Sequence, residues 1–100
     1  MKVKITRNAA KQLTTIMEQE EDKDLKLRVY ITHAHGDHAH YGLALDKPTD
    51  EDEVISTDKD IDVIVKKDEP LLDGIILDYL FLPQEGFVIT NPSKGNTGDH

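Results

Sequence analysis

The sequence has 100 residues and a net charge of −8, with 20 acidic side chains against 12 basic ones. This length fits a single domain, and the acidity argues against nucleic acid or an anionic membrane as partner. The chain has no cysteine, which excludes disulfides, thiolate zinc sites, cysteine nucleophiles and metal clusters held by its own thiolates. The sequence contains no apolar run that could span a bilayer and no signal-peptide pattern, so we expect a cytoplasmic protein.

Apolar spacing predicts a mainly β domain of the α+β class with one N-terminal helix. Residues 1–5 alternate as a short strand, and Thr6 carries a hydroxyl suited to a helix N-cap. From about 7 to 20, apolar residues recur at helical spacing on one stripe. The sequence therefore predicts a first strand that leads directly into the main helix.

The rest of the chain alternates with the period of two that is typical of strands. The predicted strands cover 25–31, 41–45, 54–55, 61–65, 75–80 and 87–90. The side chains expected to be buried are Leu13, Ile16, Leu27, Val29, Leu43, Val63, Leu77 and Phe87. In this interpretation residues 1–92 form the domain, and the polar segment 93–100 is a flexible C-terminal tail.

A histidine-rich segment lies between two of the predicted strands. Of the five histidines, four are His33, His35, His38 and His40, and Asp37 stands among them. Imidazole and carboxylate groups are ligands for iron, zinc, nickel and copper. On extended backbone His33 and His35 project from one face, and a turn after them would bring His38 or His40 alongside. The pattern predicts a site for a divalent metal ion, iron or zinc; the alternative is a polar hairpin that binds no metal.

Residues 32–38, Thr-His-Ala-His-Gly-Asp-His, resemble the zinc signature of the metallo-β-lactamase superfamily. That resemblance implies a hydrolase in which zinc activates water. The superfamily needs further histidine and aspartate ligands from distant segments and a longer four-layer fold. No histidine follows His40 until His100, so a zinc hydrolase is only a second alternative.

Short pieces of the chain have the order and spacing of one known family. They are Ile5-Thr6, Ala9-Ala10, Leu25-x-Leu27-Arg28-Val29, Tyr41, Leu72-Asp73-Gly74, Leu77-Asp78-Tyr79, Glu85-Gly86-Phe87 and Thr90-Asn91-Pro92. Together they resemble the HesB/IscA family, the A-type carriers of iron–sulfur cluster biogenesis. The resemblance implies the HesB-like fold, two small mixed β-sheets packed with a helix. It also implies protein partners of iron–sulfur biogenesis and a homo-oligomer.

The sequence departs from this family at the metal ligands. The family binds a [2Fe–2S] cluster or iron through one cysteine in the central hairpin and a Cys-Gly-Cys near the C-terminus. Gly36 aligns with the hairpin cysteine, and residues 93–100 carry no thiol. We therefore expect no thiolate-ligated iron–sulfur cluster. The histidines occupy the same hairpin, which favours a non-enzymatic, cysteine-free relative in iron–sulfur or metal handling. An interaction or structural module on this fold is the first alternative.

Overall fold

The computed structural model of the chain describes residues 1–36, 38–92 and 96–99, with His38 and 96–99 described by their backbone only. This part of the chain forms one α-helix and eight strands. The elements are β1 (Val3–Ile5), α1 (Arg7–Glu18), β2 (Lys26–His35), β3 (His38–Asp46), β4 (Asp52–Ser56), β5 (Asp62–Lys66), a 3₁₀ turn (Pro70–Leu72), β6 (Ile75–Leu80), β7 (Gly86–Asn91) and β8 (Asn96–Asp99).

The strands form two four-stranded sheets, ordered β1-β6-β7-β8 and β3-β2-β5-β4. Each sheet is mixed, because β1 is parallel to β6 and β2 is parallel to β5, while the other neighbours are antiparallel. Leu13 of α1, Val29 of β2 and Leu77 of β6 belong to one buried apolar cluster, which joins both sheets and the helix. The predicted α+β class with two mixed sheets and an N-terminal helix is confirmed.

The helix begins where the sequence predicts. The hydroxyl of Thr6 accepts a hydrogen bond from the amide of Ala9 (3.3 Å) and donates one to Asp78 Oδ1 (2.6 Å), so the N-cap also fixes α1 to β6. The helix ends at Glu18, two residues before the predicted end. There the ammonium of Lys23 donates a hydrogen bond to the carbonyl of Glu18 (3.1 Å), one of the last carbonyls of the helix, which have no partner within it. Within the described residues no helix is long and apolar enough to cross a membrane.

Most of the side chains predicted to be buried are buried. They are Leu13, Leu27, Val29, Val63 and Leu77. Leu43 and Phe87 are half-buried and pack at the edge of the core. The prediction for Ile16 is wrong, because this side chain is 38% exposed. The buried stripe of α1 continues from Ala9 through Leu13 to Met17 at intervals of four residues, which turns Ile16 toward solvent.

The end of the chain adds a strand to the first sheet. The sequence predicts a flexible tail over 93–100, but Asn96–Asp99 forms β8 and pairs antiparallel with β7, which offers it an open hydrogen-bonding edge. Residues 93–95 and His100 lie outside the described residues. The mobility of the tail and the domain limit at residue 92 stay predictions.

The outer face of the second sheet carries an ion-pair network around Arg28, in which the pair with Asp52 is largely buried. Its guanidinium donates two hydrogen bonds to Asp52 (2.8 and 2.7 Å) and one to Asp46 (2.8 Å). The Asp52 side chain is only 4% exposed and also accepts hydrogen bonds from the amide and hydroxyl of Thr49 (2.7 and 3.0 Å). The hydrogen bonds from Arg28, with those from Thr49, hold the pKa of Asp52 well below its usual range in spite of its burial. The network thereby fixes the loop of residues 47–51, which connects the two edge strands of this sheet.

Replacing Arg28 by Met would leave the Asp52 carboxylate buried without a cation. We expect the free energy of unfolding at pH 7 to fall by roughly 3–5 kcal/mol, measured by urea denaturation. The folded pKa of Asp52 lies below its unfolded value. The stabilisation from the pair is therefore complete above about pH 4 and shrinks as the pH falls toward the folded pKa. The Arg28→Met variant should lose this acid dependence.

A matched control is Lys26→Met on the same strand. It removes the ion pair between Lys26 and Asp62 (3.2 Å), whose side chains are 34% and 41% exposed. The expected loss is under about 1 kcal/mol. Equal losses in the Arg28 and Lys26 variants would contradict the special role of the buried pair.

Candidate metal site in the histidine hairpin

Strands β2 and β3 form the hairpin that the sequence predicts, but both are longer than expected. The predicted strands 25–31 and 41–45 extend to His35 and back to His38, so the histidines lie on paired strands. Gly36 begins the turn with φ +64°, a conformation that glycine adopts without strain. The space beside Gly36 is open, so this position needs glycine for its backbone angle.

An extra residue in β2 determines which face the histidines occupy. Ile31 pairs with Tyr41, whereas His33 pairs with His40, so the register shifts by one residue and Thr32 has no partner on β3. Side chains alternate between the two faces of a strand. An unshifted strand would therefore place His33 on the core face with Ile31, and the shift moves it to the outer face.

The register places all four histidine positions of the hairpin on this outer face. His33 pairs with His40 and His35 with His38, and directly paired residues share a face. The ring centroids of His33 and His40 are 6.0 Å apart. A zinc-bound imidazole nitrogen lies about 2.0–2.1 Å from the metal, so two rings on one tetrahedral zinc have centroids about 5 Å apart. The observed separation is longer, so these two rings would have to turn toward each other to share a metal.

Part of the predicted ligand set lies outside what the structure describes. Asp37 and the side chain of His38 are outside the described residues. The remaining histidines, His33, His35 and His40, are exposed. Among the described side chains, no group of three or more His, Asp or Glu residues is close enough to hold a metal ion. The assignment of these five residues as metal ligands, His33, His35, Asp37, His38 and His40, stays a prediction.

Tyr30 is a residue of the same face that the sequence does not single out. It pairs with Gly42 on β3, and its ring covers this glycine. A Cβ at position 42 would lie only 2.4 Å from the Tyr30 Cζ and 2.7 Å from its hydroxyl oxygen. The signal for this contact is an aromatic residue paired with a glycine, and it can be recognised only when the register of the hairpin is known.

The residues of the family resemblance have structural roles in the first sheet. Asn91 is fully buried, and its amide nitrogen donates to the carbonyls of Leu71 and Asp73 (both 3.0 Å). The Asp73 carboxylate accepts from the amide of Lys2 (2.7 Å). Gly74, at φ +89°, donates to the Lys2 carbonyl (2.8 Å). These bonds join the turn before β6 to β1 and β7, so the resemblance lies mainly in the scaffold.

Comparison with curated proteins gives relatives that match nearly the whole chain. It is 34% identical over 101 residues to the iron–sulfur cluster insertion protein ErpA of Saccharophagus degradans, covering 95% of this chain and 83% of the relative. It is 31% identical over 100 residues to ErpA 2 of Methylococcus capsulatus, covering 95% and 75%. The chain belongs to the HesB/IscA family of A-type carriers. No protein-family model matches the sequence.

The fold of this HesB/IscA member agrees with a solved structure. Escherichia coli SufA, a protein involved in the biosynthesis of iron–sulfur clusters, superposes with a TM-score of 0.68 at 19% sequence identity. The match covers 90% of this chain and 85% of SufA. The predicted HesB-like fold is confirmed.

This HesB/IscA member brings the two ligand regions of the family together without the ligands. Strand β8 lies against β3, so the C-terminal segment, where the family has its Cys-Gly-Cys, approaches the hairpin. The sequence contains no cysteine. Thiolate ligation of a cluster by this chain is therefore excluded.

We expect this HesB/IscA member to retain no [2Fe–2S] cluster. After anaerobic incubation with ferrous iron and sulfide without added thiol, gel filtration should give protein free of acid-labile sulfide, because no thiolate holds the cluster iron. SufA, treated in the same way, is the comparison protein. Stoichiometric labile sulfide that elutes with this chain would contradict the expectation.

Proposed function

We propose that this protein is a cysteine-free, non-enzymatic relative of the A-type carriers that handles iron or zinc in iron–sulfur cluster biogenesis. It binds the metal through the imidazoles of the β2–β3 hairpin. The register of this hairpin carries the proposal, since it pairs His33 with His40 and His35 with His38, so the four positions share one face of the sheet. The names of the relatives and the SufA-like fold support the link to iron–sulfur biogenesis.

The chemistry of the hairpin suits a divalent metal that must be taken up and released. Imidazole nitrogen is a good ligand for iron(II) and zinc. His33 and His40 are directly paired on neighbouring strands, and His35, His38 and Asp37 are the other candidate donors. The exposed position lets the metal exchange with solvent or with a partner. The net charge of −8 favours the approach of a cation.

The partners follow from this role. A carrier delivers its cargo by contact, so we propose protein partners of iron–sulfur biogenesis rather than nucleic acid or membrane. We also propose a cytoplasmic location and self-association into a homo-oligomer. Size-exclusion chromatography with light scattering would give the mass in solution, and a monomer at all concentrations would overturn the homo-oligomer.

Calorimetric titration tests the metal site. We expect wild-type protein to bind one zinc or iron(II) ion, and the double variant His33→Ala, His35→Ala to lose this binding, because two of the candidate ligands are removed. Circular dichroism should show an unchanged fold, because these side chains are exposed. Protons compete with a metal for its ligands, so the binding should be accompanied by proton release, which the heat measured in buffers of different ionisation enthalpy would show.

The matched control is Glu21→Ala with Asp24→Ala. It removes two exposed carboxylates and tests whether the acidic surface alone binds the metal. This control should bind as wild type does. If the histidine variant and wild type bind alike, or if neither binds below about 1 mM, the proposed function is wrong.

An interaction module on the same fold is the second candidate. It is favoured by Phe81 and Leu82, which follow β6 and are 54% and 81% exposed. This candidate predicts no stoichiometric metal in untagged protein purified without chelators, whereas the carrier predicts bound iron or zinc. The two-sheet fold differs from the four-layer fold that the hydrolase signature of residues 32–38 requires, so the structure does not favour a zinc hydrolase.

A further inference from the structure

We propose that two copies of this chain associate by antiparallel pairing of their β4 strands, with Val54 of one copy opposite Val54 of the other. This inference deepens the homo-oligomer of the proposed function and rests on it. It assigns the contact to the edge of the second sheet that is opposite to the histidine hairpin.

The main chain of β4 presents an open hydrogen-bonding edge. Within the described residues, β4 is the last strand of its sheet and pairs only with β5. The amide of Lys67 donates to the carbonyl of Glu51 (2.9 Å), and bonded pairs alternate along an antiparallel ladder. The main-chain groups of Asp52, Val54 and Ser56 therefore point away from β5. In a second copy they meet matching groups, since Val54 can bond to Val54 and the Ser56 amide to the Asp52 carbonyl.

The side chains of β4 leave this edge accessible. Val54, at the centre of the strand, is 44% exposed. The Asp52 carboxylate turns away to Arg28 (2.7 Å), and its side chain is only 4% exposed. The strand carries neither lysine nor proline, residues that commonly protect an edge from pairing. By contrast, β1 on the edge of the first sheet is three residues long and carries the exposed Lys4, and β3 lies against β8.

The charges on β4 select the register centred on Val54. Two copies with a net charge of −8 each repel one another, and like charges directly opposite on paired strands are destabilising. Centred on Val54, the pairing puts Glu53 opposite the apolar Ile55 of the second copy. Centred on Glu53, it would oppose two carboxylates, and centred on Ile55 it would oppose Asp52 and Asp58. The register that matches the main-chain groups is thus also the one that avoids like charges.

Charge substitution at Val54 tests the pairing. Wild type should approach twice the mass of one chain as its concentration rises, measured by light scattering after size-exclusion chromatography. Val54→Glu and Val54→Lys should each be monomeric, because either change brings two like charges together on the two-fold axis. An equimolar mixture of both variants should restore the dimer, since opposite charges then face each other. Circular dichroism should show an unchanged fold, because the side chain is partly exposed.

The matched control is Leu82→Glu, which puts a charge on the other exposed apolar segment, where Leu82 is 81% exposed. It should dimerise as wild type does. Dimers in either Val54 variant alone, a mixture that stays monomeric, or loss of the dimer in Leu82→Glu overturns the inference, while the proposed homo-oligomer stands. Wild type that is monomeric at all concentrations overturns both and leaves the edge of β4 to a strand of another protein.

Discussion

The extra residue at Thr32 is the constraint on which the candidate site depends. Side chains of a strand alternate between two faces, and the core of the second sheet requires Leu27, Val29 and Ile31 to point inward. If the alternation continued without a shift, His33 and His35 would also point toward the core. The shift between Ile31 and His33 frees the end of the hairpin from the core pattern. The histidine positions therefore share an outer face with Tyr30.

The scaffold and the candidate ligands lie in different parts of the molecule. The bonds that fix the first sheet come from Thr6 to Asp78 and from Asn91 to the turn before β6, and the buried pair of Arg28 and Asp52 fixes the second. The exposed end of the β2–β3 hairpin contributes little to the core. The contacts that hold the A-type fold together are thus separate from the candidate ligands, so the fold does not depend on a cysteine at the hairpin.

The sequence predicts the scaffold better than the site. Local signals such as the Thr6 cap and the alternation of β2, β5 and β6 are sufficient to predict these elements, because each signal depends only on residues close in the sequence. The exposure of Ile16 and the length of the hairpin strands depend on packing and pairing partners. The contact of Tyr30 with Gly42 depends on a one-residue register shift, which no local pattern reveals. The sequence predicts that His33 and His35 share a face, and the paired backbone shows that this is the outer face and that His38 and His40 lie opposite them.

X-ray absorption at the metal K-edge, on protein loaded with iron or zinc and passed through gel filtration, tests the central claim most directly. The account predicts nitrogen and oxygen neighbours at about 2.0–2.1 Å with the outer-shell scattering of at least two imidazole rings. Loss of the metal on the column would contradict it. So would a first shell of oxygen without imidazole scattering, or sulfur neighbours at about 2.3 Å.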